Sequence, residues 1–170
     1  MSSVRLIQQL DDISSRIEDL CLVVLHGLIA ALVCAAVVFR YVLDDPLTWS
    51  EEMIVLLFGW MIFLGIANAF RARSHIIIDV VVLFTPPWVR RVLGVIAAFS
   101  TALTLAVLGY HSTVYMVREG PNLTPMLGIS AAWAIAPLAV SMMLSMLHML
   151  RNFLSEGVEG VLWSDITTRD

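Results

Sequence analysis

The sequence predicts an all-α integral membrane protein: four transmembrane helices plus amphipathic interfacial helices, with both termini in the cytoplasm. Three observations lead there. Hydrophobic residues make up 59% of the 170 and charged residues only 14%, against about 45–50% and about 25% in soluble domains. Four stretches, Leu20–Phe39, Met53–Phe70, Val92–Val117 and Ala131–Leu150, carry no Asp, Glu, Lys or Arg. The basic residues, all Arg, fall mainly on one side of those stretches. This composition excludes an ordinary soluble enzyme, a disordered tail and a nucleic-acid binder. Net charge is −4 and no basic cluster offers a nucleic-acid partner.

The first 19 residues precede the first span. Leu6, Leu10, Ile13, Ile17 and Leu20 lie on one helical face, with Asp11, Asp12 and Glu18 off it. Residues 1–19 are therefore an amphipathic helix that lies on the cytoplasmic surface or runs into span one. The apolar run that follows is too long for a signal-peptide core, and Arg40 follows it without a small-residue cleavage site, so span one is expected to stay as an anchor.

A spanning helix needs about 20 apolar residues, and the spans are placed at about 20–43, 49–70, 92–117 and 127–150 of a membrane domain 20–150. Eight arginines (Arg5, Arg16, Arg71, Arg73, Arg90, Arg91, Arg151 and Arg169) fall on one side, and Arg40 and Arg118 on the other. The positive-inside rule then places both termini in the cytoplasm. Tyr41, Trp49, Tyr115 and Trp133 fall at the outer boundary and Trp88 at the inner one, where aromatic side chains meet phospholipid headgroups. Between spans two and three, Ile76–Phe84 is apolar apart from Asp79. As a helix it reaches only about 14 Å of a roughly 30 Å hydrocarbon core. The segment 75–85 is expected to lie along the cytoplasmic interface until Pro86-Pro87 ends it. Residues 151–170 form a polar cytoplasmic tail.

Candidates for chemistry are few. Among acidic and basic residues the four charge-free stretches hold only His26, His111 and His148, with no HExxH or HxH spacing. They are read as neutral groups hydrogen-bonded to neighbouring helices. No nucleophile elbow, phosphate loop or paired intramembrane carboxylate is present, so no enzyme, cofactor or metal is expected. Cys21 and Cys34 lie about 20 Å apart along one helix, too far for a disulfide. Small residues recur every four positions: Gly27, Ala31, Ala35 in span one; Gly65, Ala69 in span two; Gly94, Ala98, Ala102, Ala106 in span three; and Gly128, Ala132, Ala136 at span four. Such stripes let helices approach closely.

The sharpest cluster lies where span one ends and span two begins. Arg40 closes the first; Thr48, Trp49, Ser50, Glu51 and Glu52 open the second, with Thr48 or Ser50 as N-cap. The short connection brings Arg40 and Glu52 together, and the two are expected to pair, with Glu51 pointing about 100° away. On the other side Arg71 and Arg73 precede His75, which stands one turn from Asp79.

Together these motifs resemble the small membrane subunit of tripartite ATP-independent periplasmic (TRAP) transporters, the DctQ-like family. The resemblance rests on Phe39-Arg40-Tyr41, Trp49-Ser50-Glu51-Glu52, Phe63-Leu64-Gly65, Arg71 and Arg73 before Ser74-His75, Asp79, and Thr124-Pro125-Met126-Leu127-Gly128-Ile129. It covers about residues 20–150. It implies a scaffold role: a large membrane subunit carries substrate and Na⁺ sites as an elevator, a periplasmic binding protein delivers an organic acid, and the small subunit braces the large one in the inner membrane of a bacterium or archaeon. Fusion of the two subunits occurs in the family, and a chain of this length is expected to be the unfused form. Two other classes stay open: an assembly subunit of an unrelated membrane complex, and an autonomous small transporter, which a purified chain active alone in liposomes would reveal. Arg40, Trp49, Glu51, Glu52, Gly65, Arg71, Arg73, His75 and Asp79 are the candidate structural and partner-contact residues.

Overall fold

The computed structural model describes residues 2–71 and 86–162. Among the described residues four helices follow one another: α1 Ser2–Tyr41, α2 Ser50–Arg71, α3 Pro87–Glu119 and α4 Ala132–Leu162. Each contains a segment long and apolar enough to cross a membrane: Ile13–Tyr41, Ser50–Arg71, Arg91–Glu119 and Ala132–Leu154. Among the described residues there is no strand; a single antiparallel bridge joins Leu123 and Ser130. The expected interfacial segment 75–85 lies outside the described residues, as do Arg73, His75 and Asp79.

At 1.5 Å per residue α1 is about 60 Å long, twice a hydrocarbon core. It runs without a break from the N-terminal amphipathic segment through Leu20 into the first span. It ends where Asp44 takes a left-handed conformation (φ 54°), which Asp tolerates better than most residues, and the Asp45 N–H reaches back to the Phe39 carbonyl at 3.0 Å. Ser50 does not cap α2 with its hydroxyl: Oγ donates to the Leu47 carbonyl at 2.7 Å, so the side chain closes the preceding turn. Pro87 opens α3, where its missing N–H and fixed φ cost nothing.

α4 begins at Ala132, later than the expected 127. Residues 122–131 fold instead into a small hairpin-like turn: Thr124 N–H bonds the Ile129 carbonyl and Ala131 N–H the Asn122 carbonyl, both at 2.8 Å. Gly128 stands at φ +64°, a conformation that favours glycine, so it belongs to a turn and not to a helix-packing stripe. Ser130 then accepts from the Ala132 N–H at 3.2 Å and donates to the Gly120 carbonyl at 2.7 Å, pinning the start of α4 to the end of α3.

Contacts run in the order α1–α2–α4–α3, with a shorter contact of α1 on α4. α4 is the hub: 39% of its spanning window is buried, against none of the window in α1. On one side of α4, Met142 and Met149 pack with Leu105 of α3, flanked by Ala98 and Ala102. The small-residue stripe of span three is thus in use, and a Cβ on Gly109 would sit 3.4 Å from that of Met142. In α1, by contrast, a Cβ on Gly27 would meet nothing within 4 Å, and Gly65 in α2 is equally open. Ser141, Ser145, His148 and Asn152 share another face of α4, all buried.

Candidate functional site

Polar side chains gather at the two ends of the bundle. At the Arg40 end, Arg40 Nη2 lies 2.5 Å from Glu51 Oε1, with both side chains more than half exposed. The expected Arg40–Glu52 pair does not form. Ser50 opens α2, so Glu51 and Glu52 lie about 100° apart around it; the first turns toward Arg40 and the second toward the α3–α4 turn. Glu52 Oε2 accepts the backbone N–H groups of Met126 (2.8 Å) and Leu127 (3.2 Å). An ionised carboxylate holding two backbone donors is a strong tether, and here it fastens the turn onto α2 over a cavity of about 220 Å³ lined by Glu52, Thr124, Leu127 and Ile129. Trp49 is 40% exposed just outside α2. Trp60 and Trp133 stack at a tilt, centroids 6.3 Å apart, joining α2 to the first turn of α4.

At the other end, Arg71 grips both carboxylate oxygens of Asp19 (Nη2–Oδ1 2.8 Å, Nη1–Oδ2 3.1 Å), and Asn68 adds a bond at 3.4 Å. This two-pronged contact ties α2 to α1. Asn152 Nδ2 donates to the Phe70 carbonyl at 3.3 Å, tying α4 to α2.

Beside these lies a buried charged cluster that the sequence reading did not anticipate. His148 is fully buried. Its Nδ1 lies 2.6 Å from Asp11 Oδ1, and its Nε2 lies 3.0 and 3.2 Å from the two oxygens of Glu18. Asp11 is 1% and Glu18 2% exposed. Arg151 Nη1 reaches Asp11 Oδ2 at 3.2 Å. Reading His148 as a neutral group with an ordinary interhelical bond misses this: it bridges two carboxylates of α1. The signal was in the spacing. Asp11, Ser15 and Glu18 stand at i, i+4, i+7, and His148, Arg151 and Asn152 at i, i+3, i+4, so each set occupies one helical face. Asp11 and Glu18 face the bundle, and the apolar residues Ile13, Ile17 and Leu20 of the same segment face outward at 59%, 56% and 65% exposure. The other two span histidines are exposed: His26 Nδ1 bonds its own helix at Leu22 (2.7 Å), and His111 packs edge-on against Tyr110.

Of the candidate residues, then, the structure joins Arg40 to Glu51, Glu52 to the α3–α4 turn, and Arg71 to Asp19. Gly65 has open space beside it, and Arg73, His75 and Asp79 lie outside the described residues.

Residues 29–157, which take in the last third of α1 and the spanning parts of α2, α3 and α4, match the family model of tripartite ATP-independent periplasmic transporters, DctQ component. Among similar proteins is the C4-dicarboxylate TRAP transporter small permease protein DctQ of Pseudomonas aeruginosa, 46% identical over 40% of this chain and 30% of that protein. The sialic acid TRAP transporter small permease protein SiaQ of Vibrio cholerae is 31% identical over 75% of this chain and 73% of its own length. The sialic acid TRAP transporter permease protein SiaT of Haemophilus influenzae is 26% identical over 72% of this chain but only 20% of that longer protein. The match thus spans under a third of the first of these relatives and a fifth of the last. With most of the chain inside the matched region, the chain belongs to the DctQ component family of tripartite ATP-independent periplasmic transporters.

Proposed function

We propose that this chain is the small membrane subunit of a TRAP-type secondary transporter, and that it braces a large elevator-type subunit which imports an organic acid on a Na⁺ gradient. A periplasmic binding protein delivers the substrate, and the chain itself performs no catalysis. The observation that carries this reading is the family match over residues 29–157. The names of the relatives support it: two are small permease proteins, and the longer SiaT contains a region like this chain within a permease protein. The packing supports a brace as well. The helices are tied to one another at both ends, while among the described residues no residue of the apolar spanning part of α1 is fully buried.

In this reading both termini are cytoplasmic, the membrane is the inner one, and the Arg40–Glu51 end faces the periplasm, as the arginine asymmetry supports. Phospholipids and the large subunit share the outer surface. The test is affinity purification of the tagged chain from its own organism in mild detergent. A much larger polytopic membrane protein in fixed ratio is expected. Recovery of the chain alone, or within a complex whose other members carry no transporter subunit, would overturn the proposal.

A further inference from the structure

The contacts of the cluster near the start of α1 call for one more proton than a neutral imidazole and two ionised carboxylates carry. Ionised carboxylates only accept hydrogen bonds, and a neutral imidazole has a single N–H. His148 meets a carboxylate at each ring nitrogen, Asp11 at 2.6 Å and Glu18 at 3.0 Å. Both contacts are made together when the ring carries both protons. The doubly protonated ring and Arg151 then balance Asp11 and Glu18. Without that proton the cluster keeps two carboxylates against one guanidinium. His148, Asp11 and Glu18 are each no more than 2% exposed, so water is not at hand to solvate the excess charge.

Among the described side chains, the remaining charges near the site do not substitute for the proton. On α2, Arg71 is engaged by Asp19. On α1, Arg16 is exposed, and on α3, Arg91 is exposed. Ser15, also buried, spends its hydroxyl on the Asp11 carbonyl at 2.6 Å.

The position of the cluster gives this proton mechanical leverage. α1 touches α4 over a much shorter length than it touches α2, and the described ion pairs between α1 and α4 are those of His148 and Arg151. The same contacts turn Ile13, Ile17 and Leu20 outward.

We propose that Asp11, Glu18, His148 and Arg151 form a proton-dependent latch: with the ring doubly protonated it holds the N-terminal part of α1 against α4, and loss of that proton frees this part of α1 and the apolar stripe it presents. The device stands apart from the subunit assignment above and would operate in the isolated chain.

Cys21, half-buried and one turn beyond Glu18, is a native reporter. In a Cys34→Ala background it is the sole thiol, and its maleimide labelling rate in detergent micelles follows the opening of this part of α1. Each rate is divided by that of the same protein carrying Glu18→Gln, which cancels the thiol's own pH dependence. The Gln amide donates to Nε2 while Nδ1–H still donates to Asp11, so this variant closes with a neutral ring. The ratio should be flat at low pH and rise about tenfold per pH unit once the proton is released, as linkage to one proton requires. A ratio that stays flat up to about pH 9, well beyond the ordinary imidazole range, would overturn the proposal. His148→Gln provides an independent check that does not depend on the folding of the first variant. It should label fast at every pH; slow labelling like that of the parent would equally overturn the latch.

Discussion

Asp11→Ala and Asp19→Ala remove carboxylates eight residues apart on the same helix, each paired with an arginine of another helix, yet they should differ several-fold in cost. Asp11 is 1% exposed and meets His148 at 2.6 Å and Arg151 at 3.2 Å. Unit charges 3.2 Å apart attract by about 5 kcal/mol at an effective dielectric of about 20, and by about 1.3 kcal/mol in water. Removing one member of a buried pair typically costs about 3–5 kcal/mol, because the partner is left buried and uncompensated. Arg151 is 33% exposed and recovers part of this by turning to water, so we expect about 3 kcal/mol for Asp11→Ala. Asp19 is 52% exposed, and its pair with Arg71 should contribute only about 0.2–1 kcal/mol. Unfolding of the purified chain in mixed micelles, titrated with SDS and followed by circular dichroism, measures both. The double substitution Asp11→Ala with Arg151→Ala should cost less than the sum of the singles. Equal costs for Asp11→Ala and Asp19→Ala, or additive losses in the double variant, would refute the reasoning.

Three further outcomes follow from the packing. Glu52→Ala should release the α3–α4 turn and raise its cleavage by protease, whereas Glu51→Ala should leave cleavage unchanged; the reverse order would restore Glu52 as the partner of Arg40. Gly109→Ala should be tolerated, since its Cβ makes ordinary contact with Met142 at 3.4 Å, while Gly109→Leu should cost about 1–3 kcal/mol by overpacking α3 on α4; equal unfolding profiles for the two would contradict the close approach. Cysteines placed at Asp45 or Asn122 should react with an impermeant maleimide from the periplasmic side and one at Ser155 should not; labelling at Ser155 would defeat the proposed orientation.

The four crossings were legible because membrane solvation leaves charge-free runs of a length only a spanning helix needs. Their ends were less so. Span four starts at Ala132 because Gly128 and Ser130 build a turn from backbone hydrogen bonds, and hydropathy does not register such bonds. Pairing Arg40 with Glu52 relied on loop length alone. Which of two adjacent glutamates faces α1 depends on the rotation of α2, and Glu52 was claimed by two distant backbone N–H groups at Met126 and Leu127. The latch cluster was missed for a different reason. A helix running into span one was among the two expected arrangements, but Asp11 and Glu18 were assigned no partner on another helix. The structure has that continuous helix and turns its polar face toward His148. In a bundle, a polar stripe on a helix extending beyond the membrane is as much a packing signal as an apolar one.

The brace assignment is tested most directly by transport in proteoliposomes containing the large subunit, with the binding protein and substrate outside, prepared with and without this chain. Uptake should require this chain and the large subunit together, and liposomes carrying this chain alone should accumulate nothing. Full uptake by the large subunit without this chain, or uptake by this chain alone, would contradict the account.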